Sequence, residues 1–119
     1  KAVVAIAPVT DLNLLIEENR KYSGFVQYKD LVGQGPHTVA GSPARQADKF
    51  QAPVLLFHGE LDQNVADAHS ELMERRLKAA GKSVRYIAFD DLEHDLDSHG
   101  ARSRLLLETD MFLSQSLGQ

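Results

Sequence analysis

Two titratable residues stand where they could move a proton. Asp62 comes just after the apolar run Pro53-Val54-Leu55-Leu56-Phe57, by way of His58-Gly59-Glu60-Leu61, and His94 lies 32 residues later (94 − 62) in Asp91-Leu92-Glu93-His94-Asp95. Each follows a strand-like run that stops abruptly. In a parallel α/β sheet the loops at the carboxyl ends of the strands are where ligands and chemistry gather. An imidazole titrates near neutrality and can take the proton of a hydroxyl that is otherwise a poor nucleophile. A carboxylate beside it can fix the ring tautomer and stabilise the imidazolium. Asp before His is also the chain order of the last two members of a Ser…Asp…His triad that begins at a nucleophile elbow. No G-x-S-x-G occurs between Lys1 and Gln119, so the sequence carries only the back half of such a triad.

Simpler roles compete for the same residues. An Asp after a strand commonly caps a turn or a helix, and a loop His is commonly solvated. His58, beside Gly59 at a strand end, reads as a packed neighbour of the site rather than a catalyst, and His37, His69 and His99 read as surface residues. The acidic run Asp90–Asp97 lacks the Gly and the Asp/Asn alternation of a calcium loop. His94 and His99, five apart, make a weak zinc pair. The run is therefore expected to be a solvated loop, with neither metal nor cofactor. The absence of cysteine excludes disulfides, thiolate metal sites and Cys nucleophiles.

The elements that must hold these residues follow from periodicity. Ala2–Ala7 is continuously apolar and ends at Pro8, as suits a strand buried on both faces of a parallel sheet. Thr10 or Asp11 caps a short helix to Asn19, with Leu12, Leu14, Leu15 and Ile16 inward. Lys21–Gly41 is punctuated by Gly24, Gly33, Gly35 and Pro36 and reads as irregular chain with a helical turn or two. Ser42-Pro43 restarts a helix, Ser as N-cap and Pro first inside. Val54–Phe57 is a second strand, and Gly59 allows a sharp turn. Asp67–Ala80 is a helix with the stripe Ala68, Leu72, Met73, Leu77 and Ala80, stopped by Gly81. Val84–Phe89 is a third strand, and Ala101–Ser116 a closing helix carrying Leu105, Leu106, Met111, Phe112 and Leu113. This β-α-β-α-β-α order predicts right-handed crossovers and a three-layer α/β fold with about three parallel strands. At 119 residues the chain is one domain. Its net charge of −4, with scattered Lys and Arg, argues against nucleic acid, and no apolar run suffices to span a bilayer.

Taken together, these segments resemble the C-terminal half of the α/β-hydrolase catalytic domain of the prolyl oligopeptidase family of serine peptidases. The resemblance is carried by Lys1-Ala2-Val3-Val4-Ala5-Ile6-Ala7-Pro8-Val9-Thr10-Asp11, by Ser42-Pro43, by Pro53–Gly59, by Asp62, Val65, Ser70, Met73, Leu77 and Ala80-Gly81-Lys82, and by Glu93-His94. It implies a serine-type peptidase acting on short peptides, with Asp62 as the triad acid, His94 as its base, and the nucleophile and oxyanion donors upstream of Lys1. Alone, residues 1–119 are then expected to be inactive. Two departures stand out: Ala66 replaces a usual Pro, which loosens the helix entry, and Asp95 follows His94 where a small residue is usual, which adds negative charge beside the base. Lys1 opening on a buried-strand pattern reads as a cut inside a domain, with Ala2–Ala7 an uncovered edge that pairs with its upstream half or with another copy. An esterase or dienelactone-hydrolase-like enzyme of the same fold, or a non-catalytic interaction module, fits the same residues.

Overall fold

The computed structural model describes residues 1–118. Three strands, β1 (Val3–Ile6), β2 (Val54–Gly59) and β3 (Val84–Phe89), form one parallel sheet in the order β1-β2-β3. The register pairs Val3 with Val54 and Val54 with Val84, and runs on to Gly59 with Phe89. All six residues of β2 are buried, as expected of a central strand covered on both faces.

Alternation along β2 divides the core in two. Val54 and Leu56 face Met73 and Leu77 of α4 (Ala68–Ala79), together with Ala44 and Ala47 of a 3₁₀ run over Pro43–Lys49. Leu55 and Phe57 face the other way, against Ile87, Phe89, Leu96 and Ala101, the last at the start of α5 (His99–Leu117). Phe57 and Phe89 stack with ring centroids 6.0 Å apart. Helix α4 ends in a Schellman motif: Lys82 N–H donates to Leu77 O and Gly81 N–H to Lys78 O, with Gly81 at φ +68°.

Other expectations need correction. β1 pairs only with β2 among the described residues, and Val3 and Ile6 are exposed, so its apolar run is not buried on both faces. Of the five apolar residues that the closing helix carries, Leu105 and Phe112 pack against the core, whereas Leu106 and Met111 are exposed. The Lys21–Gly41 stretch holds more helix than its punctuation suggests, α2 (Phe25–Val32) and α3 (His37–Ala40), but α2 buries no residue. Ser42 precedes Pro43 as expected, yet its hydroxyl accepts from Leu12 N–H and donates to Thr38 O instead of capping the run it opens. That run is 3₁₀ rather than α. No helix among the described residues is long and apolar enough to cross a membrane.

Candidate active site

Both candidate residues sit in loops at the carboxyl edge of the sheet, Asp62 beyond β2 and His94 beyond β3. Because β2 and β3 are parallel neighbours, their following loops emerge side by side. Backbone bonds tie them: Glu60 N–H donates to Phe89 O and Leu61 N–H to Leu92 O. Gly59 makes the approach possible. A Cβ there would overlap the carbonyl oxygens of Leu92 and Glu93, so the glycine is required by this close packing, not by a sharp turn of its own. The His94 loop is itself strained, with Asp91 at φ +58° and Leu96 at φ +47°, a region disfavoured for residues with a Cβ.

The structure brings the two side chains together. Asp62 Oδ2 lies 2.7 Å from His94 Nδ1, while Oδ1 accepts from Asn64 N–H at 2.8 Å and Val65 N–H at 2.9 Å. The carboxylate is thus both a turn cap and the partner of an imidazole. Burial pushes its pKa up, but the Val65 amide, the His94 ring and the Asn64 amide outweigh burial and hold it below the usual carboxylate range. Asp62 therefore stays ionised and accepts from His94 Nδ1–H, which puts the basic lone pair on Nε2. The His94 side chain is 37% exposed and lines a cavity of about 450 Å³ with Leu61, Gln63, Asn64 and the acidic loop. Such a pair can accept a proton at His94 and stabilise the resulting charge at Asp62.

His58 is fully buried beside Asp62, as its strand-end position suggested. His37 and His99 are exposed, but His69 is not a surface residue: it is fully buried. Its Nδ1 accepts from Thr10 N–H at 3.1 Å, and Thr10 Oγ1 donates to His69 O at 2.6 Å, fastening α4 to the end of β1. Burial, then the neighbouring His58, lower the His69 pKa, so the ring is held neutral. A signal was present in the sequence: His69, Met73 and Leu77 are spaced by four and share the core-facing side of α4.

A family model described as the prolyl oligopeptidase family matches residues 1–119. The chain is 37% identical over 91 residues to a Bacillus subtilis protein named as an uncharacterized peptidase, covering 72% of this chain and 35% of that protein. It is 30% identical to dipeptidyl aminopeptidase BIII of Pseudoxanthomonas mexicana, over 97% of this chain and 18% of that one. A puromycin-hydrolyzing peptidase of Mycobacterium tuberculosis superposes with a TM-score of 0.86 at 28% identity, over 99% of this chain and 18% of that structure. The chain thus spans about a third or less of the length of these relatives. With its three parallel strands and flanking helices it has part of an α/β-hydrolase fold, and it belongs to the prolyl oligopeptidase family.

Proposed function

We propose that residues 1–119 are the C-terminal half of a serine peptidase catalytic domain, supplying Asp62 and His94 to a Ser-His-Asp triad that cleaves short peptides. The observation that carries this reading is the 2.7 Å contact between buried, ionised Asp62 and His94 Nδ1, at a ring whose Nε2 is free to act as a base beside a cavity. In the proposed reaction His94 Nε2 takes the proton of a serine hydroxyl as that oxygen attacks the scissile carbonyl, and then returns it to the leaving amine. Asp62 does not take the proton; it orients the ring and balances its charge. The serine and the oxyanion donors lie on a part of the protein preceding Lys1. The exposed edge of β1 pairs there, because an unpaired row of backbone N–H and C=O groups recruits a strand.

Peptidase rather than esterase action is the reading favoured by family membership and by the names of the three relatives described above. A relative 29% identical over 60% of this chain is named "Putative carboxymethylenebutenolidase" and stands on the other side. The test uses the full-length protein that carries this chain. It should be inactivated by a serine-directed organophosphate, and His94→Ala should abolish turnover of short peptide amides while leaving the fold intact by circular dichroism. Undiminished turnover in His94→Ala would exclude His94 as the base.

A further inference from the structure

We propose that His58 is a positioning residue for Asp62, clamping the loop that aims the carboxylate at His94. The proposal rests on the triad reading above and adds to it a third side chain, one that touches no reacting atom.

The geometry is specific. His58 lies within β2, fully buried, with each ring nitrogen occupied: Nε2 is 2.8 Å from Val65 O, and Nδ1 is 2.7 Å from Ser70 Oγ. A carbonyl oxygen can only accept, so Nε2 carries the proton, and in the neutral ring the Ser70 hydroxyl donates to Nδ1. Ser70 is fully buried on α4, a rigid support for the ring. The same Nε2 lies 3.3 Å from Asp62 Oδ2. His58 therefore acts on the carboxylate in two ways. It holds Val65, whose own N–H donates to Asp62 Oδ1 at 2.9 Å, so the residue that caps one carboxylate oxygen is itself held by the ring. It also turns the positive N–H edge of an imidazole toward the other oxygen, the one that meets His94 at 2.7 Å.

Fixing one carboxylate through the chain Ser70–His58–Val65 confines it to a single orientation. Orientation matters here because a small misplacement of a catalytic group carries a large penalty in rate. The positive ring edge also moderates the field that Asp62 exerts on His94.

The experiment compares variants of the full-length protein. His58→Met removes the donor at similar volume; His58→Gln keeps an amide N–H near the place of Nε2. Expected for His58→Met is a fall in kcat of about tenfold, the scale of one lost hydrogen bond in a charged network, with KM within about twofold. The acid limb of its pH–kcat/KM profile should move to higher pH, because a less compensated Asp62 holds the His94 proton more tightly. His58→Gln should restore most of both. A loss seen in stability alone, an unmoved acid limb, or no rescue by His58→Gln would overturn the proposal. If His58→Met does not fold, Ser70→Ala decides: a smaller fall in kcat with the limb moved the same way supports the clamp, and an unchanged profile overturns it. His94→Ala run in parallel separates the two levels. Retained activity there removes the triad reading itself, whereas lost activity with an unaffected His58→Met removes only the role of His58.

Discussion

Two buried aspartates, each just beyond a strand of the same sheet, are built almost identically. Asp11, after β1, accepts from Asn13 N–H and Leu14 N–H through Oδ1 at 2.9 and 3.0 Å, and meets Arg45 Nε through Oδ2 at 2.7 Å. Asp62, after β2, accepts from Asn64 N–H and Val65 N–H through Oδ1 and meets His94 Nδ1 through Oδ2 at 2.7 Å. In both, burial raises the pKa and the bonded donors overcome it, leaving an ionised carboxylate. What differs is the partner on the second oxygen. A guanidinium is charged at any working pH and exchanges no proton, so the Asp11 pair can only hold the N-terminus of α1 (Leu12–Glu18) to the Pro43–Lys49 run. An imidazole can gain and lose a proton, so the same scaffold at Asp62 becomes chemically competent. The aspartate's local design does not distinguish a cap from the proposed triad member; the partner does.

The sharpest way to break this comparison is to make the same change at both sites. Asp62→Asn in the full-length protein should lower kcat by about 10⁴-fold, because an amide N–H₂ facing Nδ1 forces the ring into the wrong tautomer. Asp11→Asn should leave kcat within about threefold and reduce stability by about 1 kcal/mol or less, because Asn still caps the helix and only the charge pair with half-exposed Arg45 is lost. Similar kcat losses at both sites, measured with melting curves alongside, would show that Asp62 acts only as a structural cap.

The next effect concerns the packing that brings the two loops together. Gly59→Ala sets a methyl group against the carbonyls of Leu92 and Glu93, which must shift and carry His94 with them. We expect a loss of about 1–3 kcal/mol from overpacking and a fall in kcat of about 100-fold from the displaced base. Gly81→Ala is the control. It forces a methyl group into a left-handed conformation at the end of α4, with nothing nearby to clash, and should cost about 1 kcal/mol with no change in kcat. Equal kinetics in the two variants would mean that the Gly59 contact does not place His94.

These contrasts also mark what the sequence could and could not reveal. β2, α4 and β3 follow from local signals: a continuous apolar run, a helical stripe closed by Gly81, and an apolar run rich in β-branched and aromatic residues, broken only by Arg85. Asp62 and His94 were legible because each follows such a run closely. Contacts between distant segments were not. Gly59 carries no sign that residues 92 and 93 will rest on it, and nothing near His69 announces a bond from Thr10, 59 positions away. The polarity of His69 points to the surface, although its spacing to Met73 and Leu77 is that of a core residue. In α5 apolar type alone does not say which residues face the core: Leu105 and Phe112 do, whereas the turn of the helix leaves Leu106 and Met111 exposed.

Acid titration separates the capped aspartates from other carboxylates more gently. Asp11 and Asp62 have folded pKa values below those of the unfolded chain. Their stabilisation is therefore complete above the unfolded value, about 3.9, and is lost as pH falls through the folded values. Thermal melts should drop steeply below about pH 4, and Asp11→Asn should flatten part of that drop while costing stability near neutrality. A variant whose melts decline on acidification as steeply as the parent's would remove Asp11 from the account.

The smallest effect is expected at a third carboxyl, where burial prevails over the donors around it. Glu18, at the end of α1, is largely buried, and its nearest basic neighbour is His69 Nε2 at 3.4 Å. Burial raises its pKa, and with the charge of Asp62 it outweighs the Ala66 amide and Lys21, the opposite of Asp11 and Asp62. The sign of linkage reverses with it: a raised folded value favours the protonated form, so Glu18 supports the fold below the unfolded value and that support is lost as pH rises through the folded one. A neutral mimic should then help where Glu18 is charged. Glu18→Gln should melt slightly higher than the parent near neutral pH and coincide with it near pH 3, where both side chains are uncharged. A lower melting temperature at neutral pH would instead mean that Glu18 is paired with a protonated His69, against the neutral ring implied by the Thr10 N–H donated to Nδ1 and by the burial of both groups.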